Sequence, residues 1–438
     1  MTELPRDWET KYLGDIAQWS SGGTPKAGTA TYYDGSIPWA VIGDLNDSVV
    51  HSTVGSITEL GLANSSAKIV PAGTVLVAMY GSIGKLGIAG TPMATNQAIA
   101  AAQPLPGVNG RYLFYYLLSQ RTALGRAGKG AAQRNIGQGI LKTWPVPIPQ
   151  PTKQRRIVEL LDDKLSHLNA AAASLDQAQR RSRALVKSVL LKAIPEPWSY
   201  PSHWEASTVD GAGYLELGRQ RHPDWHTGPN MKPYLRVANV FEDRIDTSDL
   251  MEMHWPEETF ERFRLHPGDV LLNEGQSPQW LGRPAIYRGV PEEIAFTNSL
   301  LRFQADEKVI PEFALIVFRR HMHAGRFTRE SRITTNIAHL SARRLKTVEF
   351  PIPPIAEQQE IVALVDEGLA AISRLAEAAR AAQRREGGLR RAVLAAAFSG
   401  RLTGAASDTE VIEETEESFA AEAGRDVVGQ SELEGALW

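Results

Sequence analysis

The sequence predicts an α+β protein built twice, as two tandem globular modules each followed by a long helix. Three observations predict it. The stretch "PIPQPTKQRRIVELLDDKLSHL" from Pro147 returns as "PIPPIAEQQEIVALVDEGLAAI" from Pro351, 204 residues later. After each copy, apolar residues recur every three or four positions, the period of one helix face. Before each copy the segments are short, β-rich and broken by Gly and Pro, then close on a helical stretch. That order suits an α+β module better than a doubly wound parallel sheet.

The first module occupies residues 1–150, and its landmarks reappear further on. Trp8 pairs with Trp204, "IPWAVIGDL" from Ile37 with "KPYLRVANV" from Lys232, and "PAGTVLVA" from Pro71 with "HPGDVLLN" from His266. "TNQAI" at Thr95 aligns with "TNSLL" at Thr297, and "QRNIGQGIL" at Gln133 with "TTNIAHLSA" at Thr334. "YLFYYLLSQ" at 112–120 and "PEFALIVFRRHMH" at 311–323 read as the helix of each module. Shared punctuation around different residues marks a duplicated scaffold whose variable parts do different work.

The first rod follows at 151–193. No Pro or Gly falls between Thr152 and Ala193, and Ile157, Leu161, Leu165, Leu168, Ala172 and Leu175 form the stripe. The second rod, 351–400, repeats it with Ile361, Val365, Leu369, Ile372, Ala376 and Ala379. Such a stripe is a coiled-coil seam that cannot be buried alone. The stripe of the other repeat is the simplest partner, and a helix of another subunit is the alternative. Gly387 and Gly388 predict fraying or a bend, each costing about 1 kcal/mol against Ala. "WPVPIPQP" and "EFPIPPI" suit neither a helix nor a central strand, so they carry the chain off each module and onto its rod. Residues 194–350 hold a linker, "IPEPWSYPSHW", and the second module.

Residues 401–438 form a tail with ten acidic and two basic residues. Its composition reads as a solvated, disordered extension. Removing it leaves 45 basic against 40 acidic residues, so the body of the chain is positive although the whole is −3. Residues 111–144 carry six Lys/Arg and no acid, and 319–346 carry eight against Glu330 alone. Two basic segments invite a polyanion, and nucleic acid first. The absence of cysteine excludes disulfides and thiolate metal sites, and nothing reads as a signal peptide or membrane span, so a cytoplasmic location is expected.

Catalytic patterns fail one by one. In "AMYGSIGKLG" the first Gly of a phosphate loop would fall at Met79, and Leu86 stands where Ser or Thr should meet magnesium. "VDGAGYLELG" at 209–218 resembles a methyl-donor loop faintly, but no Asn-Pro-Pro-aromatic or Asp-Pro-Pro-aromatic tetrapeptide accompanies it, so it reads as a turn between strands. His321 and His323 are two apart, not the i, i+4 pair of a metalloprotease. No catalytic residue and no metal ligand is assigned.

The two "PIP…Q…I…L(D)" junctions, the long helix after each, and "AFSGRLTG" at 397–404 resemble the specificity subunit of a type I DNA restriction-modification enzyme, over residues 1 to about 404. The resemblance implies two target recognition domains, each reading half of a split site in double-stranded DNA. It implies two helices paired as an antiparallel coiled coil, related by a pseudo-twofold axis, that hold the readers apart. The same helices would dock two methyltransferase subunits and the motor-nuclease (restriction) subunits. S-adenosylmethionine, ATP and Mg would then belong to those partners, with no cofactor on this chain and no catalysis by it. A non-catalytic scaffold or DNA mimic is the other reading, and the positive body argues against it.

Candidate DNA-reading residues lie in polar loops at matching places of the repeat. In the first half they are Tyr80, Ser82 and Lys85 of "MYGSIGK", then Lys129, Gln133, Arg134 and Asn135 of "GKGAAQRN". In the second they are Glu274, Gln276 and Gln279 of "NEGQSPQW", then Arg329, Arg332, Thr335 and Asn336 of "RESRITTN". Amides suit adenine, and Arg suits guanine or phosphate. Asn135 and Asn336 could equally cap helices at "IGQGIL" and "IAHLSA".

Overall fold

The computed structural model describes residues 4–129, 134–329, 332–334 and 337–402. Side chains of 332–334 and 337 lie outside that description, as do Gln133, Thr335, Asn336 and the tail from residue 403. Contacts divide the chain into two compact units, residues 1–175 with 381–438, and residues 176–380. Each unit therefore takes one module and one half of each rod.

In the first unit, β1 (Ala17–Ser21), β2 (Val75–Ala78), β3 (Leu86–Ala89) and β4 (Ile99–Pro104) form a sheet in the order β1-β4-β2-β3, with Ser48–Val50 added in parallel at the β3 edge. A smaller sheet holds Tyr33–Ala40 parallel to Met93–Thr95. Alternation explains the layering: Val75, Val77, Ala100 and Ala102 face one core, while Leu76, Ala78, Ile99 and Ala101 face another. Helix α1 (Gly110–Ser119) closes the first core, started by Asn109, whose Oδ1 accepts from Arg111 N at 2.9 Å and Tyr112 N at 3.2 Å.

The second unit repeats the plan. Its strands β5 (Gly213–Leu217), β6 (Val270–Asn273), β7 (Pro284–Ile286) and β8 (Leu300–Ala305) pair in the order β5-β8-β6-β7. Met231–Leu235 runs parallel to Ala295–Phe296, as its counterpart does. Helix α2 here denotes the first rod, Pro151–Ala193, α3 is Pro311–His323, and α4 is the second rod, Ile355–Phe398. The Pro-rich junctions are edge strands of two-stranded ribbons, Glu9–Tyr12 with Pro145–Ile148 and Glu205–Thr208 with Glu349–Ile352. A two-stranded ribbon tolerates the missing N–H of each proline.

The rods span 43 and 44 residues. Their halves meet in opposite order: Arg390 Nη2 donates to Asn169 Oδ1 at 2.6 Å in the first unit, and Val189 packs on Gly368 in the second. Contacts of early residues on one helix with late residues on the other are those of an antiparallel pair. The seam is only part of the stripe's work. Ile157, Leu161 and Leu165 are buried in the core of the first module, together with Ala392, Val393, Ala396 and Phe398 from the far end of α4. Val365 is buried in the second core with Leu190 and Ile194 from the far end of α2, and Leu369 and Ile361 pack on it. Ile372 is buried, while Leu168, Ala172, Leu175 and Ala376 are half-buried.

Three sequence expectations need correction. α4 runs unbroken through Gly387 and Gly388, because the six buried or packed residues around Ala392–Phe398 offset the glycine cost. "VDGAGYLELG" does form a turn between strands: the helical turn Val209–Ala212 joins Glu205–Thr208 to Gly213–Leu217. The repeat register slips by one at "TNQAI". Met79 N donates to Ala98 O and Glu274 N to Ser299 O; Gly23 N donates to Thr95 O and Arg219 N to Phe296 O. Thr95 therefore matches Phe296, and Gln97 matches Asn298. Further on, Ile136 N donates to Met79 O and Leu340 N to Glu274 O. Asn135 thus matches His339, three residues beyond Asn336, with the 204-residue offset that the rods keep.

Candidate nucleic-acid interface

The β2–β3 loop of the first module and the chain after α1 meet at one sheet edge. Tyr80 and Asn135 form an antiparallel bridge, Gly81 N donates to Arg134 O at 3.1 Å, and Lys129 and Asn135 exchange two backbone bonds of 2.9 Å each. Positive φ at Gly81 (63°) and Gly84 (78°) lets the loop turn this tightly. Tyr80, Ser82, Lys129, Arg134 and Asn135 come together, with Ser82, Arg126 and Arg134 lining an open depression of about 360 Å³. Asn135 is not a helix cap; Gly137 precedes the short helix Gln138–Lys142. Lys85 turns inward, its Nζ donating to Ile42 O at 3.2 Å, so it braces the loop.

In the second module, Gly275–Gln276 pairs with Ile337–His339, which pairs with Arg332–Thr334. The segment Ile337–His339 is thus a strand, while Asn336 itself lies outside the described residues. Glu274 Oε2 lies 3.2 Å from His339 Nδ1, and Gln276 Oε1 accepts from Ser277 N at 3.1 Å. Gln279 and Arg329 are exposed, and Thr328 Oγ1 donates to Pro278 O at 3.1 Å, holding the two stretches together. His339 escaped sequence reading because the match to Asn336 hid it. The constant 204-residue offset of the rods was the signal that could have exposed it.

Much of the positive charge is spoken for. Arg111 pairs with Asp162 at 2.6 Å, and Arg121 pairs with Asp47 while its Nε donates to Gly84 O at 2.9 Å. In the second module Arg319 holds Glu242 at 2.9 Å, Arg320 reaches Glu196 at 2.9 Å, Arg326 holds Glu349 at 2.8 Å, and Lys346 holds Asp210 at 2.9 Å. Within the 111–144 segment, Arg126, Lys129, Arg134 and Lys142 remain for an outside anion, with no side-chain partner among the described residues. His321 is fully buried, its Nε2 2.9 Å from Glu349 O, and burial first, with nearby arginines, pushes its pKa down to about 4. His323 lies 2.9 Å from Glu242 Oε1; burial works to raise that carboxyl, but the bond from His323 and the charge of Arg319 hold it below its usual value.

Sequence reading also missed what the glutamine of the "PIP…Q" junction does. Gln154 is 1% exposed; its Oε1 accepts from Asn109 N at 2.8 Å, and its Nε2 donates to Pro149 O at 2.9 Å and Gly107 O at 3.2 Å. Gln358 repeats this, accepting from Ile310 N at 2.9 Å and donating to Lys308 O at 2.7 Å and Pro353 O at 2.8 Å. Each glutamine fastens a rod to the turn that starts the module's helix.

A duplicated α+β module with paired loop edges, mounted on two long helices, defines a class, and comparison identifies it. The type I restriction modification DNA specificity domain matches residues 5–173 and 227–377, and the chain belongs to that family. The MjaIX specificity subunit of Methanocaldococcus jannaschii is 33% identical over 36% of this chain and 38% of its own. The EcoR124I/EcoR124II specificity subunit of Escherichia coli is 31% identical over 44% and 49%, so these two matches span less than half of each relative. The EcoKI specificity subunit of Escherichia coli K12 is 22% identical over 92% of this chain and 90% of its own. Among solved structures, a chain from a study of complex assembly and conformational transition of the type I R-M system superposes with a TM-score of 0.75 at 18% identity, covering 91% of this chain and 100% of that one. The HsdS subunit of Thermoanaerobacter tengcongensis gives 0.52 at 18% identity, over 91% and 98%. Both likenesses concern the fold.

Proposed function

We propose that this chain is the sequence-reading subunit of a type I restriction-modification complex. Each module reads one half of a bipartite site in double-stranded DNA, and the paired rods relate the readers by a pseudo-twofold axis and set the unread spacer. The observation that carries this reading is the loop edge built twice from matching elements with different side chains: Tyr80 against Gly275, Asn135 against His339. A constant frame with changed letters at its rim is what two half-sites of different sequence require. Arg126, Lys129 and Arg134 supply phosphate contacts in the first module. Leu185, Leu364 and Leu375, 47%, 68% and 62% exposed on the rods, suit docking of two methyltransferase subunits and the restriction subunits. S-adenosylmethionine, ATP and Mg are assigned to those partners, and catalysis with them. The site of action is the cytoplasm, with the DNA; among the described residues no helix is long and apolar enough to cross a membrane.

Methylation mapping of the host genome tests it. A bipartite motif present in the host and lost when this gene is deleted is expected; a map unchanged by the deletion would refute the proposal.

A further inference from the structure

The corrected register brings two residues into correspondence that the sequence keeps apart. Gln97 and Asn298 both occupy the turn between the parallel strand of the small sheet and the long strand of the large one, β4 or β8. The backbone bonds Met79 N to Ala98 O (2.8 Å) and Glu274 N to Ser299 O (3.0 Å) set that turn directly against the loop edge of each module. Asn96 N to Ala40 O (3.0 Å) and Thr297 N to Leu235 O (3.1 Å) confirm the match. A carboxamide therefore stands at the same rim position twice, amid otherwise different neighbours.

We infer that Gln97 and Asn298 are the matched base-reading amides of the two modules, each directed at the edge of an adenine in duplex DNA. The inference rests on the DNA-reading role proposed above. A carboxamide offers one acceptor and one donor side by side, which fits the N6 amino group and N7 of adenine and no other base edge as well. Both turns are held stiffly, as a reader must be. A Cβ on Gly22 would lie 1.8 Å from Thr95 O, so the preceding strand clamps the first turn closely. The Thr24 hydroxyl donates to Gln97 Oε1, which orients the exposed amide with Nε2 left to donate outward. Beneath Asn298, whose N donates to Arg219 O at 2.9 Å, the Arg219 guanidinium lies 3.8 Å from the Trp225 ring and 4.8 Å from the Trp255 ring. Its Nη1 also donates to His254 O at 2.8 Å, so the backbone carrying Asn298 is pinned. The half-buried Asn298 amide makes no side-chain hydrogen bond among the described residues.

The test introduces Gln97→Ala and Asn298→Ala singly into the full chain in its host. Methylated sites are mapped, and the complex retrieved on this chain is bound to the mapped duplex and to each of its single base-pair substitutions. A good bidentate contact is worth roughly fivefold to a hundredfold in discrimination. Each variant should lose about that much at one A·T pair, in opposite half-sites, and keep the others. Gln97→Glu, which retains an acceptor for Thr24 but has no amide donor, should reproduce the alanine result if alanine disturbs the turn. Discrimination within twofold of wild type at every pair, or a loss spread evenly over the site, overturns the inference. A wild-type complex with no bipartite preference would instead overturn the reading beneath it.

Discussion

Among single residues, the junction glutamines carry the most structure. Each joins three backbone groups beside a helix start, and an unsatisfied buried group costs about 1–3 kcal/mol. Gln154→Ala and Gln358→Ala should each lower unfolding free energy by about 2–4 kcal/mol, read as a shift of the urea midpoint at constant slope. His321 adds a pH dependence. Its folded pKa of about 4 lies below the ordinary 6.5, so the unfolded chain binds the proton more readily. The stability it confers is complete above pH 6.5 and is lost as pH falls toward 4, at up to about 1 kcal/mol per pH unit. Unfolding curves between pH 7 and 4 should show this slope, and His321→Gln should flatten it. Sequence reading saw Gln154 and His321 only as letters of a motif and of a basic segment. Their roles depend on Asn109 and Glu349, partners set by the fold and not by spacing.

For whole elements, the two rods were legible because their evidence is local: a 3.6-residue period, a proline start and no breaker across α2. The loop register was not. A shift of one residue at Gln97 or three at Asn135 leaves the local pattern intact and is decided by strands paired from far along the chain. The stripe was half understood, since Ile157 and Leu161 serve a module's core before they serve a seam. That difference tells where the proposed ruler can be lengthened. A four-residue duplication at Leu165–Leu168 would tear the first core. A matched duplication of Ala171–Ser174 and Ala382–Arg385, where α2 and α4 are mostly exposed, adds about 6 Å and a little over one turn to each helix. The half-sites should stay the same while the spacer between them grows by one or two base pairs at about 3.4 Å each. Methylation mapping reads this directly, and an unchanged spacer with altered half-sites would sink the ruler.

At the scale of the molecule, charge separates the body from the tail. The tail matches nothing in the repeat, so truncation after Gly404 should leave the methylated sequence unchanged and strengthen binding to random duplex at low salt. A changed motif would show that the tail takes part in reading.

Each core is completed by the far end of the opposite rod: Phe398 sets its ring 5.2 Å from Tyr112 and 5.3 Å from Tyr116, while Leu190 and Ile194 are sealed in the second core. Gly400 lies beside Pro5, so the last described turn returns to the first. In the language of topology, the polypeptide is a loop that happens to be cut, and the position of the cut is arbitrary. A rearranged gene that starts at Pro201, joins Leu402 to Leu4 through a short glycine link and stops at Tyr200 should give a protein melting within a few degrees of the original. Half of the gene alone should not, because its product would lack the plug that the other half supplies.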